Sequence, residues 1–217
     1  MKVLTFDVET TGLPDRYASI KQTWRWPYIV QFSWMVYDTS KNKVLKVEDH
    51  IVRIPKGLKM KQDSIDIHGI TNDKMKREGK EITEVLDKFM KDVRRSKILV
   101  AHNLNFDLKM ISVEQIRNCY KKTLSDSRKK TYCTMIEGKN ITNLYYYSKF
   151  YDKMVLKSPK LIELHQKLFN QTPDNLHNSL IDIIVCFRCF GKLYWDVDIL
   201  TRNSKLEISS NLFEAIA

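Results

Sequence analysis

Residues 3–10, VLTFDVET, combine a β-branched, apolar run with an acidic pair, Asp7 and Glu9, and predict the first strand of a sheet. Because side chains alternate along a strand, two acids separated by one residue project from the same face. The small residues at 10–12 favour a tight exit where the backbone of a ligand could approach. This segment therefore predicts a core strand that carries two converging carboxylates.

Hydrophobic periodicity predicts a series of strands and helices outward from this segment. The order is strand 28–38, strand 43–54, helix 81–95, strand 97–103, helix 106–118, a strand within 131–136, and helices 160–170 and 179–195. Turn-like residues 38–43 join the second and third strands as a hairpin, and the stretch up to residue 157 is less regular. Strands followed by alternating helices and strands indicate an α/β fold with a mixed sheet flanked by α-helices.

Length and composition favour one globular unit. The chain has 217 residues, of which 43% are hydrophobic, and we expect a domain at 1–195 and a C-terminal tail at 196–217. The tail could contact a partner or form a poorly ordered end. No run of ~20 apolar residues and no signal-like start is present, which predicts no membrane association and an intracellular location, in the cytoplasm or nucleus.

The cysteines and the charge indicate the environment and the kind of partner. Four cysteines are too sparse for a disulfide framework, and Cys186-x-x-Cys189 lies in an apolar run, which favours buried thiols over half a zinc site. The formal charge of +11 favours an anionic partner, with nucleic acid first. A solvated, lysine-rich surface is the alternative explanation of this charge.

Two more acids lie where strands and helices meet. In VAHNLNFD, Asn103 is a candidate helix cap, which places Asp107 in the first turns of a helix after a strand. Asp107 could instead simply complement the helix dipole. In LHNSLID, Asp182 lies in an apolar segment, where a carboxylate is costly unless it is paired, bound to metal or facing solvent.

Four ordered motifs, FDVETTGLP (6–14), IHGIT (67–71), VAHNLNFD (100–107) and LHNSLID (176–182), resemble the DEDDh, or DnaQ-like, 3′-to-5′ exonucleases. The resemblance extends from about residue 2 to residue 193. It implies a ribonuclease H-like sheet flanked by helices and hydrolysis of phosphodiester bonds from a 3′ end.

The resemblance also implies a role for individual residues. The four metal-binding acids would be Asp7, Glu9, Asp107 and Asp182, and His177 would be the catalytic histidine. Contacts to the terminal nucleotide would come from Thr10, Leu13, His68, Asn103 and Phe106. His68 and His102 could equally be hydrogen-bonding struts of their loops, and His165 is expected to lie on the surface of a helix or in the core. The stretch 15–28, with Trp24-Arg25-Trp26, is longer than in many relatives and bears on substrate entry.

The chemistry of this residue set favours metal-assisted hydrolysis. Each close pair of carboxylates would repel by roughly 4 kcal/mol at an effective dielectric constant near 20, so the site is expected to hold two divalent cations. Oxygen ligands favour Mg²⁺ or Mn²⁺. His177 would act as the general base that takes a proton from the attacking water.

The expected substrate is single-stranded nucleic acid or a 3′ end, with DNA favoured over RNA, for proofreading, repair or end trimming. The alternatives are a 3′-to-5′ exoribonuclease and a non-catalytic nucleic-acid-binding module. A proofreading role would need a polymerase or replication partner in trans. The run NLYYYSKFYDKMVLK (143–157) interleaves aromatics with lysines, which could form a single-strand platform, although packing of the aromatics against the core is the favoured interpretation.

Overall fold

The structure is a computed structural model that describes residues 1–173 and 176–199. A five-stranded sheet has the order β3-β2-β1-β4-β5, and β6 and β7 form a separate two-stranded hairpin. The strands are β1 (Lys2–Thr10), β2 (Ile29–Asp38), β3 (Lys43–Ile51), β4 (Ile98–Ala101), β5 (Lys130–Cys133), β6 (Tyr145–Ser148) and β7 (Lys153–Leu156).

The main sheet is mixed. β1 pairs antiparallel with β2, and β2 pairs antiparallel with β3. On its other side β1 pairs parallel with β4, which pairs parallel with β5. The carboxyl ends of β1, β4 and β5 therefore meet at one edge of the sheet, the edge where α/β proteins bind ligands.

The helices cover both faces of this sheet or connect its strands. They are α1 (Gln62–His68), α2 (Asn72–Glu78), α3 (Ile82–Arg95), α4 (Leu104–Arg117), α5 (Thr134–Glu137), α6 (Lys139–Thr142), α7 (Leu161–Phe169) and α8 (Ser179–Trp195). Two single 3₁₀ turns lie at Thr23–Arg25 and Leu124–Asp126.

Alternation along the strands divides the core into two layers. Phe6 and Val8 of β1 point to the layer formed by α3 and α4, together with Trp34 of β2. Val3 of β1 and Met35 of β2 point to the opposite layer, which α8 covers. Because side chains alternate along a strand and Val3 points to the layer of α8, the later odd-numbered side chains of β1 also point toward α8.

The predicted α/β fold with a mixed sheet is confirmed, and the differences are local. The strand predicted within 131–136 ends at Cys133, after which the chain turns into α5. The short helices α1 and α2 were not predicted, because seven residues give too little periodicity. The stretch described as less regular contains the β6–β7 hairpin.

The last described residues pack on α8. Asp198 accepts hydrogen bonds from the guanidinium of Arg188, with an Nη2–Oδ2 distance of 2.8 Å, and Ile199 is buried against Gly191. Most of the predicted tail, residues 200–217, lies outside the described residues. Among the helices that the structure describes, none has the length and apolar character to cross a membrane.

Candidate active site

Strand β1 supplies the first two acids. Phe6 and Val8 anchor one face of the strand in the core, so that Asp7 and Glu9 project from the other face toward α8. The pairing with β2 becomes irregular between Glu9 and Thr10, where the strand ends. The two carboxylates therefore lie at the carboxyl edge of the sheet.

The parallel register of β1 and β4 brings the third acid to the same edge. Thr5 aligns with Val100, so the continuation of β4 into α4 runs level with the end of β1. Asp107, in the first turn of α4, is only 2% exposed. Burial raises the pKa of Asp107, and the backbone N–H groups of Val8 and of Asp107 itself oppose that shift.

The start of α8 supplies the fourth acid and the histidine. Asn178 caps the helix by accepting a hydrogen bond from the backbone N–H of Leu180 at 3.1 Å. The backbone N–H of His177 donates to Oδ2 of Asp182 at 3.2 Å. His177 has a φ of 73°, a left-handed conformation uncommon outside glycine, and its side chain is exposed. The backbone of His177 therefore lies against Asp182, and its side chain is open to solvent.

Ligand oxygens of Asp7, Glu9 and Asp182 lie within 4.8 Å of one another, and among the described residues this is the one group of three or more acids, histidines or cysteines with such a spacing. Asp107 lies outside this set, yet its charge raises the pKa values of Asp7 and Glu9. We call these four acids the carboxylate cluster.

Burial and mutual repulsion perturb the carboxylate cluster. Burial, followed by the charges of the other acids, raises the pKa of Asp7 well above its usual range and that of Glu9 to about 8. Burial also raises the pKa of Asp182 to about 7, against the hydrogen bond from His177. A cation held between the oxygens would remove this repulsion, so the cluster has the chemistry of a divalent-metal site.

A partly buried polar network, which the sequence did not predict, positions the start of α8. Gln31 of β2 donates to Asp49 at 2.8 Å and accepts from the backbone N–H of Ser179 at 3.3 Å. Ser33 donates to the same Asp49 oxygen at 2.7 Å, and its Oγ lies 2.5 Å from that of Ser179. The available signal was the alternation of Gln31 and Ser33 in an otherwise apolar strand. This network fixes the turn from which Asp182 projects.

The residues predicted to contact the terminal nucleotide differ in accessibility. Leu13 is 85% exposed beside the end of β1, and Thr10 donates to the carbonyl of Gly12 at 2.6 Å. Phe106 is half-buried against the core, and Asn103 is exposed at the start of α4, where its side chain makes no capping hydrogen bond. His68 is buried, and its Nδ1 accepts from the backbone N–H of Ile70 at 3.1 Å.

His102 is a strut within the motif that carries Asp107. Burial lowers its pKa to about 4, so the ring is neutral at pH 7. Nε2 lies 3.0 Å from the carbonyl oxygen of Pro159, which can only accept, and Nδ1 lies 2.9 Å from Oγ1 of Thr134. Nε2 is therefore the donor, and the hydroxyl of Thr134 donates to Nδ1. His102 thus joins the ends of β4 and β5 to the loop before α7.

Of the remaining predictions about single residues, those for His165 and the cysteines agree with the structure and the one for the tyrosine run does not. His165 is fully buried, which is the core position among the two alternatives, and its Nε2 lies 3.1 Å from Nη1 of Arg188. Cys186 and Cys189 are buried free thiols, as the sequence favoured. The expectation that the tyrosine run 145–147 packs against the core is wrong, because these rings are exposed on the β6–β7 hairpin.

The long connection 15–28 is held against the C-terminal end of α4 by one arginine. Arg117 of α4 donates to the carbonyls of Pro27, Thr23 and Trp26 at 2.6 to 2.8 Å and to the buried carboxylate of Glu114 at 2.7 Å. A cavity of about 480 Å³ lies between this connection and α1, with Leu13, Trp24 and Ile67 among its lining residues. The connection therefore forms one wall of an open cleft beside the end of β1.

An exonuclease family model, that of RNase T, matches residues 4–190. The chain belongs to this family, the DnaQ-like exonucleases of the ribonuclease H-like superfamily. The predicted family and its ribonuclease H-like sheet are therefore confirmed, and the matching model describes the family as exonucleases.

Solved structures of exonuclease I share the fold. The chain is 14% identical, with a TM-score of 0.64, to zinc-bound E. coli exonuclease I in complex with single-stranded DNA, covering 90% of this chain and 41% of that one. It is also 14% identical, with a TM-score of 0.63, to E. coli exonuclease I in complex with a dT13 oligonucleotide, covering 88% of this chain and 41% of that one. To exonuclease I from Methylocaldum szegediense it is 13% identical, with a TM-score of 0.63, covering 92% of this chain and 42% of that one. This chain thus spans about two fifths of those proteins. No curated protein sequence matches it.

Proposed function

We propose that this chain removes nucleotides one at a time from the 3′ end of nucleic acid, preferably DNA, with two divalent cations held by the carboxylate cluster. The observation that carries the proposal is the convergence of Asp7, Glu9 and Asp182 within 4.8 Å, next to the buried Asp107. Acids so close and so desolvated are unfavourable unless they are protonated or bind cations.

The donor set fits Mg²⁺ or Mn²⁺. All four acids offer hard oxygen ligands, which these ions prefer, and the clustered group contains no thiolate or imidazole. When bound, two such ions would offset the four negative charges and stabilise the attacking and leaving oxygens of an in-line displacement at phosphorus. Asp7 and Glu9 from β1, Asp107 from α4 and Asp182 from α8 would hold them.

His177 would act as the general base. Its backbone N–H is bonded to Asp182 and its side chain is exposed, so the imidazole would be free to turn toward the attacking water. Histidine exchanges protons near neutral pH, which suits this role. The left-handed backbone at His177 directs the chain away from α8 and leaves the ring outside the helix.

The cleft beside β1 would receive the terminal nucleotide. Leu13 offers an exposed apolar side chain against a base, and Phe106 offers an aromatic edge from α4. Thr10, His68 and Asn103 would add polar contacts to the sugar and phosphate. Single-stranded DNA is the preferred substrate because two of the structures that share this fold are DNA complexes of E. coli exonuclease I.

A time course on matched DNA and RNA 20-mers of the same sequence, each labelled at the 5′ end, tests the proposal. With Mg²⁺ or Mn²⁺, we expect a ladder that shortens by one nucleotide at a time, faster for DNA, and no products with EDTA. The control Asp66→Asn removes an exposed acid of α1 that accepts a hydrogen bond from Gln62, and should digest like wild type. Faster digestion of RNA would reassign the substrate, and binding without cleavage of either would refute the nuclease.

A further inference from the structure

The β6–β7 hairpin, residues 145–156, exposes an unusual number of aromatic rings. Tyr145 pairs with Leu156 and Tyr147 pairs with Met154, and paired residues of an antiparallel ladder share a face. Tyr145 is 54% exposed and Tyr147 is 55% exposed. Tyr146, on the opposite face, is exposed as well. The hairpin therefore presents aromatic surface that the core does not use, which marks an interaction surface. We call it the aromatic hairpin.

The tip of the aromatic hairpin continues the row of rings. Phe150 is 88% exposed, and its ring stands edge-on to that of Tyr151 with centroids 4.9 Å apart. The hydroxyl of Tyr147 donates to the carboxylate of Asp152, and the backbone N–H of Tyr151 donates to Oγ of Ser148 at 3.3 Å. These hydrogen bonds hold the tip, so the rings are presented from an ordered turn.

Charge selects the kind of partner. The aromatic hairpin, residues 145–156, contains two lysines, Lys149 and Lys153, and one acid, Asp152, whose carboxylate already accepts a hydrogen bond from Tyr147. The ammonium group of Lys153 lies 6.0 Å from the centroid of the Tyr151 ring, and Lys149 lies between the rings in sequence. A polyanion with flat aromatic faces complements such a surface, and single-stranded nucleic acid has both properties.

The aromatic hairpin is anchored at the catalytic edge of the sheet. The backbone N–H of Lys157 donates to the carbonyl of Leu144 at 2.7 Å and closes its base. Thr134 precedes the aromatic hairpin in the sequence and Pro159 follows it, and both residues are hydrogen-bonded to His102. Since His102 lies five residues before Asp107, the hairpin extends from the same edge as the carboxylate cluster.

We propose that the aromatic hairpin binds the single-stranded part of the substrate behind the 3′ terminal nucleotide, with bases stacked on Tyr145, Tyr147 and Phe150 and phosphates near Lys149 and Lys153. The inference rests on the proposed exonuclease function. It adds a second contact region, which makes affinity depend on the length of the strand. A substrate too short to reach the hairpin would not use it.

The test compares two double variants that differ only in ring stacking. Tyr145→Ser with Tyr147→Ser removes both rings, whereas Tyr145→Phe with Tyr147→Phe keeps both and removes only the hydroxyls. Affinity for fluorescein-labelled dT20 is measured by anisotropy in EDTA, so that the DNA stays intact. We expect the serine pair to bind at least ten-fold more weakly and the phenylalanine pair to stay within three-fold of wild type.

Two further measurements separate this proposal from the proposed function. Hydrolysis of thymidine 5′-(p-nitrophenyl phosphate) with Mn²⁺ reports the carboxylate cluster alone, and we expect equal rates for wild type and both variants. Lys149→Ala with Lys153→Ala should reduce the salt slope of dT20 binding by about 1.4, since each phosphate contact on a single strand contributes about 0.7.

The outcomes are distinct. If the serine pair binds dT20 as tightly as wild type, the hairpin proposal is overturned, even where the small ester is hydrolysed normally. A change in oligomeric state of the serine pair with unchanged DNA binding also overturns it and assigns the hairpin to protein contacts. If wild type hydrolyses neither the ester nor DNA while the serine pair still loses dT20 affinity, the proposed function fails and the hairpin proposal stands as a binding site.

Discussion

Replacing Asp182 by Asn should stabilise the cation-free protein, and the gain should increase with pH. The pKa of Asp182 is raised from 3.8 to about 7 in the folded chain. Between pH 3.8 and about pH 7, Asp182 holds a proton in the folded state that it has lost in the unfolded state. The contribution of this carboxyl group to the free energy of unfolding is therefore full below pH 3.8 and is lost as pH rises through about 7. Asparagine carries no charge and escapes this loss.

The expected size follows from the shift. A change of about three pKa units corresponds to about 4 kcal/mol once the group is fully ionised, near pH 8, and to about 2 kcal/mol at pH 5. Because the ionised Asp182 in turn raises the pKa values of Asp7 and Glu9, these acids titrate together, and 4 kcal/mol is an upper limit. For a chain of this length each kcal/mol raises Tm by about 2 to 4 °C. The increase in Tm should therefore be roughly twice as large at pH 8 as at pH 5.

Thermal unfolding monitored by circular dichroism in EDTA, at pH 5, 6, 7 and 8, measures this gain. The control Asp73→Asn changes an acid of α2 whose side chain is 89% exposed, and its Tm should stay within 2 °C of wild type at every pH. Added Mg²⁺ should raise the Tm of wild type, more at pH 8 than at pH 6 because bound protons must leave, and should raise that of Asp182→Asn little. A gain that is equal at pH 5 and pH 8, or a loss at pH 8, would refute the conclusion that burial raises the pKa of Asp182.

Three further substitutions test separate parts of the site. His177→Ala should lower kcat by about 10² to 10⁴ with the Kd for dT20 within three-fold, in single-turnover and anisotropy measurements; an unchanged rate would exclude its role as general base. His102→Phe should cost about 1 to 3 kcal/mol in urea unfolding, since two buried groups lose their partner; an unchanged midpoint would contradict its role as a strut. Arg117→Met should lower the free energy of unfolding in urea by about 3 to 5 kcal/mol, because the buried Glu114 loses its cationic partner, and adding Glu114→Gln should restore part of that loss. A loss below about 1 kcal/mol would show that the connection 15–28 does not depend on this pair.

The sequence predicted the acids better than the surfaces around them. Alternation along β1 predicted that Asp7 and Glu9 share a face, since that depends on the local backbone alone. The polar pair Gln31 and Ser33 was overlooked, because its partners in β3 and α8 are distant in sequence. What a buried polar side chain meets depends on the register of the sheet.

The aromatic run shows why burial is harder to predict than secondary structure. Aromatic residues are usually buried, so Tyr145 to Tyr147 were assigned to the core. The main sheet, however, is already covered on both faces by α3, α4 and α8, and the hairpin has no place in either layer. The sequence shows that aromatic residues are present, but whether they are buried depends on how completely the other elements already fill the core.

The direction and metal dependence of digestion test the central claim most directly. A single-stranded DNA 20-mer that carries one fluorophore at its 5′ end and a ³²P label in its last internucleotide phosphate is treated with wild type or Asp7→Asn. We expect wild type with Mg²⁺ to release the ³²P label first, as a mononucleotide, while the 5′-labelled strand shortens stepwise. We expect no release with EDTA or with Asp7→Asn. Release from the 5′ end, internal cleavage, or full activity of Asp7→Asn would contradict a 3′-to-5′ exonuclease built on the carboxylate cluster.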